Sequence, residues 1–185
     1  MLFSSGTKKV LCPSSQKAVG KIVLLGNPNV GKSVIFNRLT ESYGVVSNYP
    51  GTTVDIFRGE MRIGERIFEL IDTPGMYSFS VITEEERVTR RILLEERFDL
   101  VLHVADAKNI ERMLGLSLQI VEAGFPVFLI LNMMDEAEAF GKRIDLSALE
   151  ERIKIPVIPM ASIKGEGFDL LRDKIKEYIR RSKDV

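Results

Sequence analysis

Gly26-Asn27-Pro28-Asn29-Val30-Gly31-Lys32-Ser33 follows an apolar run, Ile22 to Leu25, and precedes Val34-Ile35-Phe36-Asn37-Arg38-Leu39. A strand therefore hands over to a helix across this stretch, which is the context that the phosphate-loop pattern GxxxxGK(S/T) requires. Glycines let the backbone curl until successive N–H groups and the helix N-terminus point at one anion. Lys32 is expected to reach the β- and γ-phosphates of a nucleotide, and the Ser33 hydroxyl to ligate magnesium.

Outward from this loop the chain alternates between strands and helices. Lys21 to Leu25 reads as a buried strand, and the helix after the loop is expected to run to about Thr40. Tyr43 to Thr53, with Gly44, Asn48, Pro50 and Gly51, reads as a loop. Val54 to Arg62 and Arg66 to Ile71 form a hairpin around Gly64. Thr83-Glu84-Glu85-Glu86 is a capping box and opens a helix to about Arg97. Phe98 to Ala105 and Pro126 to Leu131 are continuous apolar runs of strand length, fit for burial on both faces. Helices are expected over Glu111 to Ala123, Leu146 to Ile153 and Phe168 to Arg180, with a last strand at Pro156 to Met160 and a loop over Ala161 to Gly167. The expected fold is a mainly parallel six-stranded α/β sheet with one antiparallel strand and helices on both faces. In such sheets the ligand sits beyond the carboxyl ends of the strands, where each motif falls.

The 185 residues suffice for one domain with a sizeable core. Lys plus Arg equals Asp plus Glu at 26 each, so no global field recruits nucleic acid or an anionic membrane. The longest apolar runs fall far short of the ~18 residues that suggest a membrane span. Residues 1 to 20 read as a flexible leader without a secretory signal, and the single cysteine, Cys12, reads as a free thiol, so a reducing cytoplasm is expected.

Asp72 in Asp72-Thr73-Pro74-Gly75 ends a strand, where a carboxylate can hold magnesium through water, and Gly75 offers an N–H to the γ-phosphate. Thr53 is the candidate for the second magnesium hydroxyl, with Thr52 competing. Asn132 and Asp135 in Asn132-Met133-Met134-Asp135 address the base. A carboxylate there accepts both the N1 proton and the N2 amine of guanine, whereas adenine would leave it unpaired, which favours GTP over ATP. The usual lysine is replaced by Met133 and Met134, which still cover a base with apolar surface. Ser162, in Ala161-Ser162-Ile163-Lys164, is expected to present its backbone N–H to the guanine O6. His103 lies in an apolar run and reads as a core residue rather than a ligand.

In this order the motifs resemble the TRAFAC-class small GTPases. Asn48-Tyr49-Pro50-Gly51-Thr52-Thr53-Val54, Asp72-Thr73-Pro74-Gly75-Met76-Tyr77-Ser78 and Asn132-Met133-Met134-Asp135 with Ile144-Asp145 are similar to the N-terminal G domain of the ferrous iron transport protein B family, over Lys21 to Arg180. Related ribosome- and RNA-associated GTPases of the Era, Der and MnmE type tend to carry Arg at the position of Val54 and Lys in the guanine motif. The resemblance implies a Ras-like phosphate-loop GTPase fold: a G domain over residues 21 to 181, a tail at 182 to 185, and no helical or transmembrane domain of the family within the chain. It implies GTP or GDP with magnesium as cofactors, held by Gly26, Asn27, Pro28, Asn29, Val30, Gly31, Lys32, Ser33, Val34, Gly51, Thr52, Thr53, Asp72, Thr73, Pro74, Gly75, Asn132, Met133, Asp135, Ala161, Ser162 and Ile163. Magnesium falls to Ser33, Thr53 and Asp72. The implied partner is the membrane transporter portion of the same full-length protein, at the cytoplasmic face of the bacterial inner membrane, with no nucleic acid.

Hydrolysis is expected to depend on Lys32, Thr53, Gly75 and Asn29, through positioning and charge neutralisation. Many GTPases follow Gly75 with a water-orienting glutamine; Met76 cannot do this, so turnover should be slow. Asn29 stands where potassium-activated relatives bind potassium against the phosphates, although it can also simply stabilise the turn. The loops at about 43 to 53 and 75 to 83 are expected to order around the γ-phosphate and relax after hydrolysis. Three readings stay open: a regulatory GTPase domain of an iron transporter, a ribosome- or RNA-associated GTPase, and a nucleotide-binding interaction module with negligible hydrolysis.

Overall fold

The computed structural model describes residues 18–40 and 45–181. The leader up to residue 17 with Cys12, the 182–185 tail, and Tyr43 with Gly44 lie outside the described residues.

Strand β1 (Gly20–Gly26) forms the centre, flanked by β4 (Arg66–Asp72) and β5 (Leu100–Asp106), with β6 (Val127–Asn132) and β7 (Val157–Pro159) extending the parallel run. On the other side β4 pairs antiparallel with β3 (Asp55–Ile63), which pairs antiparallel with β2 (Val45–Asn48). The order is β2-β3-β4-β1-β5-β6-β7, and β3 alone among them runs against the others. The expected mainly parallel sheet with one reversed strand is therefore present, but with seven strands instead of six. The extra strand, β2, falls in the segment read as a loop. Each of its four residues is exposed, so no apolar pattern marks it, and only its pairing to β3 makes it a strand.

Continuous apolar runs become strands covered on both faces: every residue of β5 and of β6 is buried. Helices α1 (Lys32–Leu39) and α6 (Phe168–Arg181) cover one face through Phe36, Leu39, Leu171 and Ile175. Helices α2 (Glu84–Glu95), α3 (Ile110–Glu122) and α5 (Leu146–Ile153) cover the other through Val88, Ile92, Leu116, Ile120 and Ile153. Burying each such side chain contributes about 1.5–3 kcal/mol. One short helix, α4 (Met134–Ala139), lies in the polar segment between β6 and the helix expected from Leu146, where no element is expected; six residues are too few to show a helical period.

The capping box that opens α2 is formed: the Thr83 hydroxyl accepts from the Glu86 N–H at 3.2 Å while the Glu86 carboxylate accepts from the Thr83 N–H, also at 3.2 Å. Because α1 leaves β1 on one face and α2 leaves the β4 side on the other, a crevice opens above the carboxyl ends of β1 and β4.

Candidate nucleotide site

The turn from β1 into α1 is shaped by left-handed backbone at Asn29 (φ 63°) and Gly31 (φ 92°). At Gly31 a Cβ would meet Asn132 Nδ2 at 2.5 Å, so this position needs glycine for close packing as well as for its dihedral. The curl brings the Lys32 ammonium back over its own loop, where it donates to the carbonyls of Gly26 at 3.0 Å and Asn27 at 2.9 Å. Burial pulls the Lys32 pKa below that of a free lysine, and the charge of Asp72 opposes the shift. A cation held this way gains most from an anion arriving at the loop.

Asp72 sits at the end of β4, pressed beside β1. The Ser33 hydroxyl donates to its Oδ2 at 2.9 Å. Its Oδ1 is buried with no hydrogen-bond partner. Burial raises the Asp72 pKa, against the Ser33 hydrogen bond and the Lys32 charge. A hydroxyl and an orphaned carboxylate oxygen form an all-oxygen donor set of the kind a hard divalent cation takes, directly or through water, so these residues fit magnesium.

After Asp72 the chain is bolted to β1. Both the N–H and the hydroxyl of Thr73 donate to the Leu24 carbonyl, at 3.3 and 2.7 Å, and the Met76 N–H donates to the Gly26 carbonyl at 3.1 Å. Gly75 lies against the phosphate loop so closely that a Cβ would come within 2.5 Å of the Pro28 ring. Met76 is fully buried in the core beneath α2, so its side chain points away from the crevice. Glu86, besides capping α2, accepts from the N–H groups of Tyr77 at 3.3 Å and Ile82 at 2.9 Å. These backbone bonds, led by that from Ile82, hold its pKa below the usual carboxylate range.

An open cavity of about 680 Å³ lies between these elements, lined by Lys32, Ser33, Thr53, Val54, Asp55, Phe57, the Asp72–Gly75 turn and Thr83 to Glu85. Its size suits a small charged ligand with its water. Of the two competing threonines, Thr53 lines this space. The Thr52 hydroxyl instead donates to the Tyr49 carbonyl at 3.0 Å and accepts from the Val54 N–H at 3.2 Å, which builds the turn.

On the far side of the loop, Asn132 is fully buried at the end of β6. Its amide donates to the Val30 carbonyl at 2.9 Å, and its oxygen accepts the Ser162 N–H at 3.0 Å. Asn132 thus stitches the phosphate loop to the 161–167 loop, and the Ser162 N–H expected for a base oxygen is already engaged. Met133 takes left-handed backbone (φ 62°) ahead of α4, half-buried beside Asp135. Asp135 stands near the surface in an ion pair with Lys164 at 3.0 Å, and the Lys164 hydrogen bond lowers its pKa. Ala161 is buried and Ile163 exposed.

His103 is a core residue, as expected. Its Nδ1 lies 2.8 Å from the Ser117 hydroxyl, its Nε2 has no partner, and burial lowers its pKa to about 3. Lys164, Asp55, Glu84 and Glu85 escaped the reading of the sequence as parts of the site. The capping box located the start of α2, but only the packing of α2 on the sheet turns that start toward the cavity.

A parallel sheet with a phosphate-loop turn at its central strand, an acidic strand end beside it and an Asn-x-x-Asp turn two strands away defines a phosphate-loop domain of the GTPase fold. Comparison with known proteins agrees. The family model described as ferrous iron transport protein B matches residues 20–175. An Fe(2+) transporter FeoB of Synechocystis sp. is 36% identical over 160 residues, covering 86% of this chain but 26% of that protein. The solved G domain of the T. maritima FeoB iron transporter has 39% identity and a TM-score of 0.80, covering 86% of this chain and 98% of that one. The cytosolic domain of the same T. maritima protein in its GMPPNP form has 40% identity and a TM-score of 0.82, covering 86% of this chain and 63% of that one. The chain belongs to the ferrous iron transport protein B family, and its match is to the G domain. It spans about a quarter of the length of the Synechocystis relative.

Proposed function

We propose that this chain is a GTP-binding switch domain that hydrolyses GTP slowly and regulates ferrous iron transport across the bacterial inner membrane. The observation that carries the reading is the Lys32–Ser33–Asp72 cluster: a buried ammonium, a hydroxyl and an orphaned carboxylate oxygen around one turn. A nucleotide polyphosphate with its cation supplies what each of the three lacks. The T. maritima relative in its GMPPNP form supports a guanine nucleotide as the occupant.

In this reading Lys32 neutralises the β- and γ-phosphates, the Gly75 N–H faces the γ-phosphate, and Asp135 accepts from the guanine edge. Asn132 keeps the phosphate loop and the 161–167 loop at a fixed spacing. Ser33, Asp72 and Thr53 would hold magnesium, which supplies charge neutralisation when bound. Asn29 would hold potassium against the phosphates. Water attacks the γ-phosphate in line, and the burial of Met76 leaves that water without a side chain from position 76, so turnover is slow. The β2–β3 connection around Thr53 and the segment after Met76 then relax after hydrolysis, while Met76 itself stays anchored.

No helix among the described residues is long and apolar enough to cross a membrane, so coupling falls to the membrane portion of the full-length protein, with this domain at the cytoplasmic face. The burial of Met76 also favours a second reading, an interaction module with negligible hydrolysis, which single-turnover hydrolysis with and without potassium distinguishes. The primary test compares binding of fluorescent GTP and ATP by the parent and by Asp135→Asn. Selective GTP binding that Asp135→Asn weakens is expected; an unchanged GTP preference in the variant refutes the guanine assignment.

A further inference from the structure

Arg38 stands in the last turn of helix α1, the helix that begins with Lys32 and Ser33. It reaches toward the opposite end of the site. Its Nη2 donates to the Ile163 carbonyl at 2.8 Å, and its guanidinium carbon lies 5.8 Å from the centroid of the Phe168 ring. Its Nη1 comes so near Gly165 that a Cβ there would meet it at 2.8 Å. The loop it touches is already folded on itself, with the Gly165 N–H donating to the carbonyls of Ala161 at 3.0 Å and Ser162 at 3.2 Å. Asn132 grips the same loop at Ser162 from β6. The loop is therefore held at two points by two elements, one of which also carries the phosphate-binding residues.

We propose that Arg38 is a positioning residue that sets how long a guanine nucleotide stays bound, by clamping the 161–167 loop to the helix that starts at the phosphates. The inference rests on the GTP-binding reading above. An arginine suits the task because one planar group donates to a carbonyl and stacks on a ring at once, whereas a lysine supplies a single mobile charge. The Arg38 side chain meets the Ile163 carbonyl and the Phe168 ring, so its effect passes through the loop. Loosening the clamp opens the base end of the site and leaves the hydrolytic end intact.

The test is stopped-flow release of a fluorescent GDP analogue from the parent, Arg38→Ala and Arg38→Lys, together with single-turnover hydrolysis of pre-bound GTP. Loss of one charge-assisted hydrogen bond predicts roughly fivefold faster release for Arg38→Ala and roughly twofold for Arg38→Lys, with hydrolysis changed by less than about twofold. Release at the parent rate in Arg38→Ala overturns the inference. So does a loss of hydrolysis that matches the gain in release, since that marks general loosening of the domain. If Arg38→Ala does not fold, the lysine variant decides alone, and a parental rate in it overturns the inference. A parent that binds no guanine nucleotide overturns the proposed function itself, which is a different result from a parent that binds and a variant that releases normally.

Discussion

The two sides of the phosphate loop are built on opposite plans. Toward β6 and β7 every polar group named above already has a protein partner: Asn132 joins Val30 to Ser162, and Asp135 is paired with Lys164. Toward β3 and α2 the exposed residues Thr53, Asp55, Glu84 and Glu85 line open space. A side whose bonds are made before the ligand arrives supplies fixed geometry. A side whose polar groups await the ligand supplies a response to it. Under the function proposed above, base recognition falls to the first and sensing of the terminal phosphate to the second.

The hardest blow to this contrast would come through Lys32, the hinge between the sides. Lys32→Ala is expected to weaken GTP and GDP binding by more than roughly 100-fold, since a charge-assisted contact to phosphate is lost. Isothermal titration measures it, and a loss below tenfold would remove Lys32 as the anion anchor. Next in size is a paired comparison by chemical denaturation. Asn132→Ala leaves the Val30 carbonyl and the Ser162 N–H without their buried partner and should lose about 2–3 kcal/mol. Thr53→Ala should stay within about 0.5 kcal/mol while lowering the preference for GTP over GDP in magnesium. Equal stability losses in the two variants would abolish the distinction between a locked side and a responsive one.

A pH titration probes the core beneath the site. His103 stays neutral in the folded protein down to about pH 3, whereas an unfolded histidine takes up a proton below about pH 6.5. The unfolded state thus binds more protons in that window, and stability falls as pH drops from about 6.5 toward 3. At pH 5 this amounts to about 2 kcal/mol from His103 alone. Denaturation midpoints of the parent and His103→Leu at pH 7 and pH 5 check this; an equal fall in both proteins clears His103 of the effect. The smallest expected change is in Asn29→Gly, which keeps the left-handed turn and removes the side chain. Binding should hold within about threefold while potassium stimulation of hydrolysis disappears. Stimulation that survives leaves Asn29 a turn residue.

Legibility in the sequence followed the range of the interactions. The loop at 26–33, the hairpin at Gly64, the capping box of α2 and the buried strands rest on local pattern, and they fold as read. Strand β2 was not legible because Asn48, Pro50 and Gly51 signal a loop while its pairing to β3 is a tertiary event. Asn132 and Asp135 were found as a pair, yet their different surroundings were hidden. The one is sealed between two loops and the other stands at the surface, because burial depends on what packs over a strand end. The second and third backbone donors to the Glu86 carboxylate, from Tyr77 and Ile82, were likewise beyond any local pattern, although the Thr83 partnership was plain.

Met76 has a further consequence for how this domain can change over generations. Its backbone is tied to Gly26, and its side chain is buried in the apolar cluster under α2. A glutamine introduced there would carry its amide into that cluster, unpaired and away from the crevice, so it would cost stability and, under the proposed function, would not quicken hydrolysis. Faster turnover is therefore not one substitution away at this position. If the domain is the GTPase switch proposed above, a lineage seeking faster turnover would first have to repack the floor beneath α2, or else recruit a group from outside the chain.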